Sequence, residues 1–232
     1  MLKKYNAVWC FGLPLAVSEG IKMKCNVDRY KQTVFVEETM AQTTNYLQRT
    51  AAHGKTIGTI DFVGFLSMGV TLLFFSLHQA RVIEIGDSGL TTILFAGGIG
   101  QILAGLTAMR VKHLFGSITF TAFGFFWLSV IALFIVPEFG VAESPQSVAL
   151  SSYSVMWGLF AGMIYLGAMH ISLQTRLLFA MLSLNFAILS FGQATLTEHA
   201  VLFGGLFGGA CGTLFIVHAL CHGAIGLKKA IS

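Results

Sequence analysis

From Phe62 onward, long apolar stretches alternate with short polar ones. The runs free of Asp, Glu, Lys and Arg are 62–80, 88–109, 111–137 apart from Lys112, 144–175, 177–197 and 199–227. A helix rises about 1.5 Å per residue, so roughly 20 apolar residues cross the ~30 Å hydrocarbon core of a bilayer. Six stretches meet that length and predict helices near 59–79, 89–109, 115–136, 149–171, 176–196 and 200–225. An open sheet leaves its edges unpaired in lipid, and these runs lack the alternation of a membrane barrel, so helices are the remaining solution. The predicted fold class is an all-α membrane protein with six transmembrane helices.

Composition agrees with this reading. Hydrophobic residues make up 55% of the 232 positions and charged residues only 10%, against about 25% charged in a typical soluble domain. The formal net charge of +4 gives no reason to expect a nucleic-acid partner. Cys10, Cys25, Cys211 and Cys221 form no CxxC pair, which argues against a zinc or disulfide framework.

Basic residues set the expected orientation. Lys55, Arg110, Lys112, Arg176, Lys228 and Lys229 fall on one side, while the other holds Arg81 against Glu84, Asp87, Glu138, Glu143 and Glu198. The positive-inside rule then puts both termini in the cytoplasm. Residues 1–57 read as an interfacial or poorly ordered N-terminal arm, 58–227 as the six-helix domain and 228–232 as a short cytoplasmic tail. Lys3 and Lys4 precede an apolar run from Ala7 to Val17, and Ala16-Val17-Ser18 resembles a cleavage site. Pro14 interrupts that run, and a cytoplasmic N-terminus needs no leader, so an arm is the preferred reading.

Glycine clusters inside the predicted spans. Gly204, Gly208 and Gly212 are four apart, as are Gly205 and Gly209, and Gly158 and Gly162. Residues four apart share a helix face, and smooth faces let neighbouring backbones approach closely. The same faces serve either to pack helices, to shape a narrow pore or to join subunits.

Two stretches carry a family resemblance. Gly97-Gly98-Ile99-Gly100-Gln101-Ile102-Leu103-Ala104-Gly105 is followed by Phe115-Gly116 and then by Thr119-Phe120-Thr121-Ala122-Phe123-Gly124-Phe125-Phe126-Trp127-Leu128. In order and spacing this resembles the GGxxQxxAG, FG and TxFTxYGxFWL patterns of the acetate uptake transporter family, small six-span carriers of acetate and succinate. Weaker agreement at Gly64, Gly69, Thr71, Leu77, His78 and Trp157-Gly158 extends the resemblance over about 59–226. The chain departs from the family at two places. Where the family opens its first span with NPAPLGL, this sequence has Thr59-Ile60-Asp61-Phe62-Val63-Gly64-Phe65, and Ala108 stands where an acidic residue often occurs.

The resemblance implies an apolar constriction built from the first, third and fifth spans, and motif matching puts Met68, Phe123 and Leu184 there. Phe123 stands where the family commonly has Tyr. Depth gives an independent check. Counted from the nearest ionisable residue at the basic side, Met68, Leu184, Gln101 and Phe123 all lie roughly 10–17 Å inside at 1.5 Å per residue. They fit one layer.

Among polar residues in mid-span, Gln101 should face the bundle interior, because an amide facing lipid is costly. It serves either the solute path or a bond between helices. Asn185 reads similarly. Thr121, like Thr119, is either a path residue or a cap on its own helix's carbonyls. His78 matches a family histidine at the outer mouth. His218 and His222 have the i, i+4 spacing of a metal pair, but neither Glu nor a third His accompanies them, so no metal and no cofactor is expected.

The function these features imply is a transporter or channel for acetate or a similar small monocarboxylate, with or without a proton. The resemblance adds a homo-oligomer, commonly a hexamer, in a cell membrane. A channel for urea, small amides or ammonia keeps the same architecture. A membrane enzyme or interaction subunit is the alternative of another class, and the lack of an acidic catalytic cluster weighs against the enzyme. The topology is testable by cysteine labelling from outside the cell. Cysteines placed at Ser88 or Ser144 should react, and cysteines at His113 or Lys228 should not; the reverse pattern overturns the orientation.

Overall fold

In lipid a backbone must satisfy its own polar groups, and this chain does so with helices alone among its described residues. The computed structural model describes residues 19–140 and 143–231. Helix α1 runs over Glu19–Gln79, α2 over Asp87–Arg110, α3 over Leu114–Glu138, α4 over Ser147–Gly167, α5 over Leu173–Thr195 and α6 over Glu198–Ile231. A 3-10 turn at Ala168–His170 extends α4. Six segments are long and apolar enough to span a membrane: Thr56–Gln79, Asp87–Arg110, Leu114–Glu138, Ser147–His170, Leu173–Thr195 and Glu198–Cys221. The six predicted spans are all present.

The chain divides into two units, Met1–Ala51 and Ala52–Ser232. Where the sequence suggests an arm up to residue 57, the described residues are helical from Glu19, and 37–46 are exposed. The candidate leader from Lys3 to Ser18 lies outside the described residues. The tail expected at 228–232 continues α6 as far as Ile231.

Short connections make successive helices of the second unit antiparallel. After α1, Arg81 adopts a left-handed conformation (φ 54°), and the Val82 amide bonds back to the Leu77 carbonyl at 3.0 Å. Lys112 (φ 59°) turns the chain between α2 and α3, where the His113 amide donates to the Ala108 carbonyl at 2.9 Å. Ser172 caps α5 by accepting the Thr175 amide at 3.1 Å. Leu196 ends α5 in the left-handed region, with the Thr197 amide on the Gly192 carbonyl at 3.2 Å. The bundle therefore has a basic end, bearing Arg110, Lys112 and Arg176, and an acidic end, bearing Glu84, Asp87, Glu138, Glu143 and Glu198.

The odd-numbered helices share one burial pattern. Gly64, Phe65, Met68, Thr71 and Leu72 are buried in α1, Thr119, Phe120, Phe123, Phe126 and Trp127 in α3, and Leu178, Phe179, Leu182, Asn185 and Phe186 in α5. The spacing is the same in each, and all three helices run from the basic to the acidic end. Each therefore presents one stripe of its surface to a common interior.

The even-numbered helices flank them, and glycine sets the distance. A Cβ on Gly98 of α2 would sit 3.2 Å from the Gly124 carbonyl of α3, and one on Gly158 of α4 would sit 3.0 Å from Phe186 Cβ of α5. At the α1–α6 contact, a Cβ on Gly212 would lie 2.6 Å from the Leu73 amide nitrogen and 2.9 Å from the Gly69 carbonyl. The chain's first and last spans thus close the bundle. Backbone cannot yield as a side-chain tip can, so Gly212→Leu should force α1 and α6 apart and cost about 1–3 kcal/mol. Thermal unfolding in detergent should show a clearly lowered midpoint and reduced folded yield; an unchanged midpoint would mean that this contact does not hold the bundle.

Candidate solute path

The stripes of α1, α3 and α5 stack side chains in layers from the basic end inward. In the first layer, Asp61 Oδ1 of α1 lies 3.5 Å from Nδ1 of His113, the residue that precedes α3. Thr175 holds the equivalent place on α5, with its Oγ1 3.5 Å from Nε2 of His218 on α6. One turn further in, Phe65 meets Phe120 edge-on at 5.1 Å and Phe179 at 6.4 Å. Phe215 of α6 stacks on Phe65 at 6.1 Å and meets Phe179 edge-on at 5.6 Å. His218 packs edge-on against Phe65 at 5.0 Å, so it is a packed, interior group of the bundle's basic end.

Three residues later on each odd helix come Met68, Phe123 and Leu182, each only 2% exposed. A residue three positions on stays on the same helix face, so these apolar side chains form the next layer. Phe123 is braced by Phe179 at 6.1 Å, Phe160 at 5.6 Å and Trp157 at 5.9 Å. Its ring is fixed from several sides. The layer holds no hydroxyl or amide side chain.

Three residues further still, the layer turns polar at Thr71 and Asn185, with Phe126 as the α3 member. Gln101, reaching in from α2, donates from Nε2 to Thr71 Oγ1 at 3.3 Å. The Thr71 hydroxyl is shared between the carbonyls of Ser67 at 2.9 Å and Met68 at 3.0 Å. Gln101 Oε1 and both amide atoms of Asn185 are buried with no protein hydrogen-bond partner. An unmet buried polar atom costs about 1–3 kcal/mol. Thr119 Oγ1, Thr121 Oγ1, the indole nitrogens of Trp127 and Trp157, His78 Nδ1 and Gln79 Oε1 are likewise buried without a protein partner; Gln101 and Asn185 differ in being amides one turn beyond the apolar layer.

Of the residues singled out in the sequence, Met68, Phe123, Gln101 and Asn185 are brought to this interior. Leu184 is not: it is 53% exposed on the outer face of α5. Two residues turn an α-helix by about 200°, so Leu182 and Leu184 point to opposite sides. Leu182, and not the Leu184 expected from the sequence, is the α5 residue buried in the layer of Met68 and Phe123. The signal was present in the shared spacing of Phe120, Phe123 and Trp127 with Phe179, Leu182 and Phe186. Thr121 stands at the α2–α3 contact, where a Cβ on Gly105 would meet its backbone nitrogen at 2.6 Å. Its Oγ1 is buried at that contact with no protein hydrogen-bond partner. His78 is partly buried at the acidic end of α1. His222 side-chain contacts lie outside the described residues, and no group of three or more potential metal-binding side chains occurs among those described.

Residues 42–226 match the GPR1/FUN34/yaaH family. The chain belongs to that family. The succinate-acetate/proton symporter SatP of Escherichia coli strain K12 is 29% identical over 158 residues, which cover 68% of this chain and 84% of SatP. Ammonia transport outward protein 2 of Saccharomyces cerevisiae is 29% identical over 154 residues, 63% of this chain and 54% of the yeast protein. Among solved structures, the bacterial acetate channel SatP superposes with a TM-score of 0.66 at 28% identity, covering 69% of this chain and 89% of that one. The resemblance carried by GGIGQILAG and FTAFGFFWL is thus borne out, and the superposition reaches the same six-helix fold.

Proposed function

We propose that this chain conducts acetate, or a monocarboxylate of similar size, along the interior shared by α1, α3 and α5. Its likeness to the SatP symporter and channel supports that solute class, and both relatives are transport proteins rather than enzymes. The observation that carries the reading is the layer sequence itself, with Met68, Phe123 and Leu182 buried together and the unmet amide atoms of Gln101 and Asn185 one turn beyond.

The physics favours a small acid in its neutral form. Stripping water from a carboxylate costs several kcal/mol or more when no ligand replaces it, and the apolar layer offers none. A protonated acid loses far less, and its carbonyl and hydroxyl match the donor and acceptor atoms of Gln101 and Asn185. In this role the amides hold the solute beside the waist while the aromatic brace around Phe123 fixes the waist's width. Hydrated inorganic ions are refused on the same ground.

The same proposal places the basic end in the cytoplasm of a cell membrane and assembles the chain as a homo-oligomer, commonly a hexamer. Support for assembly comes from α4, whose span is 17% buried within the subunit against 33–44% for the others. That helix has the most surface left for a neighbour.

Purified wild type, Phe123→Ala and Gln101→Ala should be compared in proteoliposomes with labelled acetate, succinate, urea and ammonia. Phe123→Ala should widen the waist and raise entry of succinate or urea relative to acetate. Gln101→Ala should cut acetate flux by about 10-fold, the equivalent of ~1.4 kcal/mol for a lost hydrogen bond, with the protein still folded. Unchanged rate and selectivity in both variants for every solute would remove these residues from the path.

A further inference from the structure

An apolar waist that passes the neutral acid leaves the proton to be collected at the far side, and the structure places an ionisable pair there. We propose that Asp61 and His113 form the proton-exchange station of the basic mouth, where an acid that has crossed the waist gives up its proton. The proposal rests on the acetate reading above and adds residues that neither the family pattern nor the waist requires.

The fold builds the pair deliberately. His113 is fixed at the start of α3 by its amide on the Ala108 carbonyl at 2.9 Å and by its own carbonyl, which accepts the Ser117 amide at 3.0 Å. The left-handed Lys112 turns the chain so that this happens. Gly116 leaves the space the imidazole occupies, since a Cβ there would lie 2.7 Å from Nδ1 and 2.9 Å from Cε1 of His113. The same Cβ would lie 3.3 Å from Phe120, so the ring stands directly beneath the aromatic layer. From the opposite side α1 brings Asp61 to 3.5 Å, with both side chains about one-fifth exposed. That partial exposure suits a group that must meet both solute and water.

Asp61 holds the stripe position that Gly116 takes on α3 and Thr175 on α5. It is also the acidic departure from the NPAPLGL pattern. The other ionisable groups at this mouth are Arg110 and Lys112, both exposed on the α2–α3 connection, Arg176 beside Thr175 on α5, and His218 of α6, which faces Thr175 and Phe65.

The step balances. A neutral carboxylic acid transfers its proton to the unprotonated nitrogen of the His113 ring, leaving a carboxylate and an imidazolium. The imidazolium forms beside the Asp61 carboxylate and is neutralised by it. The carboxylate leaves past the basic side chains of the mouth, and the imidazolium returns its proton to water.

The test uses full-length protein in liposomes, with labelled acetate to read flux, a trapped pH dye to read proton delivery, and the pH of each side varied in turn. In wild type, acetate entry should slow as the pH on the basic-end side falls and the imidazole is held protonated. Asp61→Asn should move that midpoint to lower pH by about one unit, as expected when an opposite charge is removed, and Asp61→Glu should restore it. His113→Gln should abolish the dependence and cut proton delivery and acetate flux together, by about 100-fold or more on the usual scale of proton-transfer groups. If Asp61→Asn folds poorly, Asp61→Glu and His113→Gln decide the matter alone. Variants that transport acetate with the wild-type pH profile, or that lose rate without moving the midpoint, overturn the station while leaving the path intact. Absence of acetate flux in wild type would instead remove the transport reading, and the station with it.

Discussion

Large apolar side chains can converge on one interior only if the helices that carry them are held close from behind, and here glycine permits that approach. Gly98 against the Gly124 carbonyl, Gly158 against Phe186 and Gly212 against Leu73 set the spacing of three antiparallel helix pairs. Without a hydrophobic driving force between helices in lipid, such close packing is what keeps the bundle together. Phe65, Phe120 and Phe179, and then Met68, Phe123 and Leu182, occupy the interior that this packing defines. A wider bundle would leave the same side chains unable to reach one another.

The interior changes character over about three helical turns, and the proposed function follows from that change. Charged and hydroxyl groups at the basic mouth give way to phenyl rings, then to a waist without a polar side chain, then to buried amides with unmet atoms. Each layer asks something different of a solute: shed charge, shed water, then find hydrogen bonds. A small protonated acid meets all three demands. On the proposed reading Phe123 leaves the waist without a hydroxyl, and Asp61 places a carboxylate at the basic end. In the proposed path the middle is therefore without a hydroxyl, and the carboxylate stands at its end.

Much of this was legible in the sequence because the bilayer imposes a single length and a single kind of segment. The charge-free runs located every span, and GGIGQILAG with FTAFGFFWL located Gln101 and Phe123. The fifth span was read two residues out of place, at Leu184, because it carries no distinctive motif and both leucines are equally apolar. Only burial separates Leu182 from Leu184. Thr121 reads from the sequence as either a path residue or a cap on its own helix, and the close approach of Gly105 puts it at the α2–α3 contact. The Asp61–His113 pair was invisible for a different reason. Its members lie far apart in the chain, and a turn and a glycine that no local pattern announces bring them to 3.5 Å.

The central claim is that the path runs through the face of α5 bearing Leu182 and not the face bearing Leu184. Single cysteines at these two positions, in a background lacking Cys10, Cys25, Cys211 and Cys221, decide it when acetate flux is followed during treatment with a small, membrane-permeant thiol reagent. The account predicts that reagent stops flux through Leu182→Cys, that acetate slows the block, and that Leu184→Cys is modified without effect. Block at Leu184→Cys with no effect at Leu182→Cys would contradict it.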